Sequence, residues 1–166
     1  MELDIRPARG AAEIEACARM TADSEPWLSL GYDVEAARRA LCAPERELHV
    51  AAAEGEVAGY VLLNLTGPFA GYIQSICVAP GLRSRGVGRR LVQHAEARVF
   101  ADHPNLFICV SDFNAAARGF YERLGYAAVG ELKDYLVGGR SEILLRKSIS
   151  PLMEFRRRPT RPGGPS

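Results

Sequence analysis

Val78-Ala-Pro-Gly-Leu-Arg-Ser-Arg-Gly-Val-Gly-Arg-Arg-Leu91 joins the end of an apolar run to the start of a helix. An apolar run from Tyr72 to Val78 stops at Ala79-Pro80, two arginines and two spaced glycines follow, and an amphipathic helix then begins. A strand that hands a glycine-spaced turn to a helix start suits phosphate binding, because the first turn of a helix leaves backbone N–H groups unpaired at the positive end of its dipole. Gly86 and Gly88 remove Cβ atoms that would hold a phosphate away from those amides. Arg83 and Arg85, with Arg89 and Arg90 one turn on, supply the counter-charge. The spacing R-x-x-G-x-G is weak by itself, and an ordinary strand-to-helix turn with a solvated basic face is the alternative. Two common nucleotide motifs do not fit. No lysine or hydroxyl residue follows Gly88, as a P-loop requires, and the position of a third dinucleotide-fold glycine holds Leu91.

A second constellation lies downstream. Asn114 to Tyr126, N-A-A-A-R-G-F-Y-E-R-L-G-Y, reads as one short helix closed by Gly125. Asn114 and Tyr121 fall within about 20° of one another on a helix face, with the small Ala117 between them. That face offers a polar group, an open patch and a phenol to a ligand. The opposite reading makes Asn114 an N-cap and Tyr121 a core aromatic.

Together, in this order and about 30 residues apart, these segments resemble the acyl-CoA motif and the second motif of the GNAT (general N-acetyltransferase) superfamily. The resemblance covers most of Leu3 to Lys147, and Ile5-Arg-Pro-Ala8 is a common opening of such domains. It is closest to the ribosomal-protein N-terminal acetyltransferase branch. It implies an α/β fold with a mixed, mostly antiparallel sheet of six to seven strands flanked by about four helices, and acetyl-CoA as cosubstrate. It also implies that Arg83, Ser84, Arg85, Gly86, Val87 and Gly88 hold the diphosphate. The backbone of Ile76, Cys77 and Val78 would pair with the pantetheine arm and the acetyl carbonyl, as an added strand would. Asn114, with Ala117 beside it, would contact the pantetheine chain, and Tyr121 would act as general acid toward the departing thiolate.

On the acceptor side the sequence departs from that branch. The position matching the branch's glutamate base is Cys109, the tyrosine pair after the next strand is incomplete because Leu136 follows Tyr135, and the base position of another branch holds Tyr72. An amine attacks only when neutral. At pH 7 a lysine amine is neutral about once in 2,500 molecules and an α-amino group about once in ten. Without a dedicated carboxylate, an N-terminal or other low-pKa amine is the expected acceptor. Glu25 and Asp112 are candidate replacements for the base, although a solvated loop charge or helix cap is the simpler account of each. Trp27 and Tyr32 lie in the connection that walls the acceptor cleft in this family, and Trp27 as a core plug is the alternative.

Composition bounds the rest. A chain of 166 residues with a formal net charge of +1 is one domain's worth and has no global drive toward nucleic acid. Glu2 and Asp4 interrupt any leader-like stretch, and no apolar run reaches the length of a membrane span. Cys17, Cys42, Cys77 and Cys109 form no C-x-x-C pair, and the three histidines are scattered, so a reducing cytoplasm and no metal are expected. The organisation read from periodicity is a single acyltransferase domain over 1–149 and a basic Pro/Arg/Gly-rich tail over 150–166, expected to be disordered. Arg156, Arg157, Arg158 and Arg161 in that tail are expected to solubilise it, docking of an acidic partner or RNA being the alternative. The expected partner is a small-molecule or peptide amine, taken by a monomer or homodimer. The competing class is a non-catalytic acyl-CoA-binding or sensing module.

Overall fold

The computed structural model describes residues 2–156. Periodicity resolves into seven strands and four helices: β1 Asp4–Pro7, α1 Gly10–Ala22, α2 Val34–Leu41, β2 Arg46–Ala53, β3 Glu56–Asn64, β4 Tyr72–Val78, α3 Val87–Val99, β5 Asn105–Ser111, α4 Ala115–Arg123, β6 Ala127–Lys133 and β7 Ser141–Ser148. Local chemistry sets several ends. Asp33 caps α2, its carboxylate accepting from the Ala36 amide at 2.7 Å. Asn114 caps α4 in the same way through the Ala117 amide at 3.1 Å. Glu54 and Gly55, both at positive φ, turn β2 into β3. A short 3₁₀ turn at Pro80–Leu82, not expected from the sequence, precedes α3.

The sheet order is β1-β2-β3-β4-β5-β7-β6. Every neighbouring pair is antiparallel except β4 and β5. The mixed, mostly antiparallel sheet with four helices is thus the expected fold. On one face Cys17 and Ala18 of α1 and Ala37 and Leu41 of α2 pack against Val50, Tyr60, Leu62 and Cys77. On the other, Leu91, Val92, Ala95 and Val99 of α3 and Tyr121 of α4 pack against Val61, Leu63, Ile73, Leu106 and Leu145. Each fully buried Leu or Val here contributes about 1.5–3 kcal/mol of transfer free energy.

The feature that makes a site is the junction of β4 and β5. The two parallel strands pair only at Tyr72 and Phe107. Their approach depends on Gly71, at φ +86°, where an added Cβ would stand 2.3 Å from the Asn105 carbonyl oxygen. The Phe107 amide donates to the Gly71 carbonyl at 2.8 Å. Beyond that point the strands part. Against β3, Leu62 pairs with Ser75 and Leu63 with Ile73, so Gln74 is an extra residue in β4. Such a bulge bends its strand and increases local twist, here carrying Ser75 to Val78 away from β5.

Leu152–Glu154 form a short 3₁₀ turn within the expected tail, and Arg156 is exposed. Arg157, Arg158 and Arg161 lie outside the described residues. Among the described residues no helix is long and apolar enough to cross a membrane.

Candidate active site

Where β4 and β5 part, a cleft of about 390 Å³ opens through the sheet. Its lining joins the two faces. Asn114, Ala117 and Tyr121 come from α4, Ile76 from β4, and Ile108 and Val110 from β5. Tyr60, Tyr72, Cys109, Ser111 and Glu142 stand with them, and Glu25, Trp27 and Tyr32 form part of the wall beyond α1.

The seven-residue spacing read from the sequence does place Asn114, Ala117 and Tyr121 together along the cleft. Asn114 satisfies both readings, since its Oδ1 caps α4 while the residue lines the cleft. Tyr121 is 3% exposed. Its ring sits edge-on to Phe120 and Tyr126, with centroids 5.1 and 5.3 Å away. Burial, and secondarily the nearby Cys77, lifts its phenol above the ordinary value, so the proton stays on through neutral pH.

At the end of β4 the phosphate-type turn is formed. Gly86 stands at φ +84° as the residue before α3, a conformation that strains any residue with a Cβ. The first-turn amides of Val87, Gly88 and Arg89 donate to no acceptor among the described residues, the first helical bond being Arg90 N–H to the Gly86 carbonyl at 3.1 Å. A Cβ on Gly88 would meet Phe120 and Val78 at an ordinary 3.7 Å, so Gly86, not Gly88, is the glycine that the backbone demands. The arginines divide. Arg83 reaches back to the Val78 carbonyl and the Ser24 hydroxyl, both at 3.2 Å, and Arg90 to the Leu3 carbonyl at 3.1 Å. Arg85 and Arg89 are exposed and hold no hydrogen bond or ion pair among the described residues.

The family model described as Acetyltransferase (GNAT) family matches residues 12–126. The chain belongs to that family. It is similar to the N-alpha-acetyltransferase RimI of Mycobacterium tuberculosis, 30% identical over 154 residues that cover 89% of this chain and 96% of that protein. An uncharacterized protein of Mycobacterium leprae is 28% identical over 145 residues, or 82% of this chain, which spans only 38% of that longer protein's length. In fold it matches the ribosomal-protein-S18-alanine N-acetyltransferase of Escherichia coli, with a TM-score of 0.76, 18% identity, and coverage of 92% of this chain and 97% of that one.

The matched residues include the 78–91 stretch with its helix-start turn. Trp27 and Tyr32 lie 5.4 Å apart between ring centroids with their planes tilted by 42°, and both pack on the α1/α2 core while lining the cleft. Glu25 lines the cleft, but its carboxylate accepts from the Ser29 amide at 3.2 Å and the Ser29 hydroxyl at 2.7 Å. Asp112 is not among the lining residues. It accepts from the Ser141 amide at 3.1 Å and lies 3.8 Å from Arg140, pinning one loop to another. Cys109 does line the cleft, and burial raises its thiol above the ordinary value, with Tyr72 hydrogen-bonded to it.

Glu142 on β7 is the group that sequence reasoning missed. It lies directly opposite Ser111, is 6% exposed, and accepts from the Ser111 hydroxyl at 2.7 Å. The available signal was alternation. In Ser141–Ser148 the core takes Ile143 and Leu145, which leaves Glu142 on the opposite face with Leu144. Among the described residues no cluster of three His, Cys, Asp or Glu residues is disposed to hold a metal.

Proposed function

We propose that this GNAT family member moves an acetyl group from acetyl-CoA to a primary amine by direct attack with both substrates bound, the acceptor being a peptide N-terminus or a small amine. The observation that carries the reading is the parting of β4 from β5 beside a helix start whose first amides are unpaired. The edge of β4 at Ile76, Cys77 and Val78 offers main-chain groups to an extended amide arm, and the cradle at Arg83 to Gly88 offers amides to a diphosphate. Arg85 and Arg89 supply charge there, whereas Arg83 braces the turn. Acetyl-CoA supplies an acyl group activated as a thioester.

The protein's own groups do the rest. Asn114 and Ala117 line one side of the arm's path. Tyr121 holds a proton on its phenol and gives it to the leaving sulfur. Burial raises this phenol, and the same dry surroundings raise any thiol beside them, as they do Cys77, so donor and acceptor stay comparable in basicity. Trp27 and Tyr32 exclude water from the amine's approach. An α-amino group loses least to protonation there.

The test is thiol release from acetyl-CoA over a panel containing a peptide with N-terminal alanine, a lysine side-chain amine and small primary amines, beside calorimetric titration with acetyl-CoA. Release on an α-amine supports the reading. Tight binding with no release on any amine would make the protein a sensor.

A further inference from the structure

We infer that Glu142 is the general base of the acceptor site, taking the proton that the attacking amine gives up, with Ser111 as its positioning residue. This rests on the acetyltransfer reading above and names a group for it.

Position is the first support. Glu142 and Ser111 face each other across the β5–β7 ladder, and their side chains share a hydrogen bond of 2.7 Å. Cys109 is two residues along β5 on the same face, a diagonal neighbour at about 7 Å. All three line the cleft that Tyr121 lines. The site thus has a phenol reached from α4 and a carboxylate from β7, with the gap between β4 and β5 separating them.

Cost is the second support. A carboxylate 6% exposed is expensive to keep without a cation, and Glu142 has no ion pair among the described residues. Its recorded partner is one hydroxyl on Oε1, so Oε2 is left for a proton. The other carboxylates near the cleft are spent, Glu25 on Ser29 and Asp112 on Ser141.

The groups around Glu142 set its basicity. Burial raises it, the neighbouring Asp112 raises it further, and the Ser111 hydroxyl partly opposes them. Cys109 on β5, hydrogen-bonded to Tyr72 on β4, and Tyr121 on α4 stay protonated and neutral at pH 7 because burial raises all three; the exposed Tyr135 of the β6–β7 loop also lines the cleft, and Arg140 lies 3.8 Å from Asp112. A carboxylate moved toward neutrality is a better match to an amine's proton than one at the ordinary value.

The substrate ammonium loses one proton to the Glu142 carboxylate. The neutral nitrogen forms a bond to the thioester carbon as the carbon–sulfur bond breaks, and the sulfur takes the Tyr121 proton. The second nitrogen proton restores the phenol through solvent, and Glu142 releases its proton to bulk water.

The experiment compares wild type, Glu142→Gln and Ser111→Ala with acetyl-CoA and a peptide bearing N-terminal alanine, from pH 5 to 9. Glu142→Gln should lose about 10²-fold in kcat/KM at pH 7, with acetyl-CoA affinity held within twofold. Wild type levels off once Glu142 is ionised. The variant keeps rising, about tenfold between pH 7 and 9, as an α-amine with pKa near 8 neutralises itself. Ser111→Ala keeps the carboxylate but moves the acid limb of the wild-type profile to higher pH, and this second variant decides the matter if Glu142→Gln fails to fold. A Glu142→Gln profile parallel to wild type and within threefold of it, or an unmoved acid limb in Ser111→Ala, overturns the assignment while acetyltransfer stands. Wild type that releases thiol on no amine overturns both.

Discussion

Replacing Tyr121 with Phe removes one oxygen atom and little else, and its expected consequences separate chemistry from folding. The ring keeps its edge contacts with Phe120 and Tyr126. The hydroxyl holds no hydrogen bond to another described residue, so its loss orphans no partner and stability should change by less than about 1 kcal/mol. For a chain of this size that is a melting shift below about 4 °C. Turnover should respond quite differently. A positioned general acid contributes about 10²- to 10⁴-fold, or about 2.7 to 5.4 kcal/mol of barrier at about 1.36 kcal/mol per decade. Initial rates of thiol release at saturating acetyl-CoA, read with a thiol-reactive chromophore, give kcat, and calorimetry gives acetyl-CoA affinity. The expected pattern is a drop of at least 100-fold in kcat with affinity within twofold. Turnover within threefold of wild type would refute the role given to the phenol. A fall in affinity matching the fall in kcat would mean that the hydroxyl binds rather than donates.

The phosphate turn and the first ion pair make their own predictions. Gly86→Ala forces a Cβ into φ +84°, costing about 1–2 kcal/mol and a few degrees of melting temperature, and it should weaken acetyl-CoA binding by disturbing the amides that follow. Gly88→Ala, whose Cβ would make 3.7 Å contacts, should melt within about 2 °C of wild type, so equal destabilisation by the two changes would contradict the assignment of backbone demand to Gly86. Two Arg6 nitrogens donate to the Glu13 carboxylate at 2.7 and 3.0 Å, and these bonds, then the Arg9 amide, hold it down at about 2 against an ordinary 4.5. A carboxyl depressed in the folded state contributes stability that is complete above about 4.5 and lost as pH falls toward about 2. Glu13→Gln should therefore flatten the acid limb of a melting-temperature profile in that window, and superimposable limbs would argue against the pair.

How much of this was legible beforehand follows from which forces are local. β4 emerged at the residues read for it, Tyr72–Val78, because an apolar run ended by Ala79-Pro80 is a local signal. Asp33 and Asn114 were readable as caps because capping acts over three residues. The bulge at Gln74 was not readable, because it exists only as a mismatch in register with β3. The insertion of β7 between β5 and β6 is likewise a property of pairing, and with it came Glu142, whose meaning depends on lying opposite Ser111. Arg83 was read as a charge for a phosphate, yet the fold brings Ser24, 59 positions earlier in the chain, within its reach. Motif reading reaches the candidate residues that are consecutive in the chain, and those brought together across strands emerge only in the fold.

Where the cosubstrate lies can be read from a two-dimensional amide NMR titration of the ¹⁵N-labelled protein with coenzyme A and, separately, with its 3′-dephospho form. The amides of Ser84 to Arg89 and of Ile76 to Val78 should shift with both ligands, the first group because a diphosphate would sit on the start of α3 and the second because the pantetheine arm would run along β4. Shifts confined to other surfaces, with these two segments unmoved at saturation, would contradict that placement.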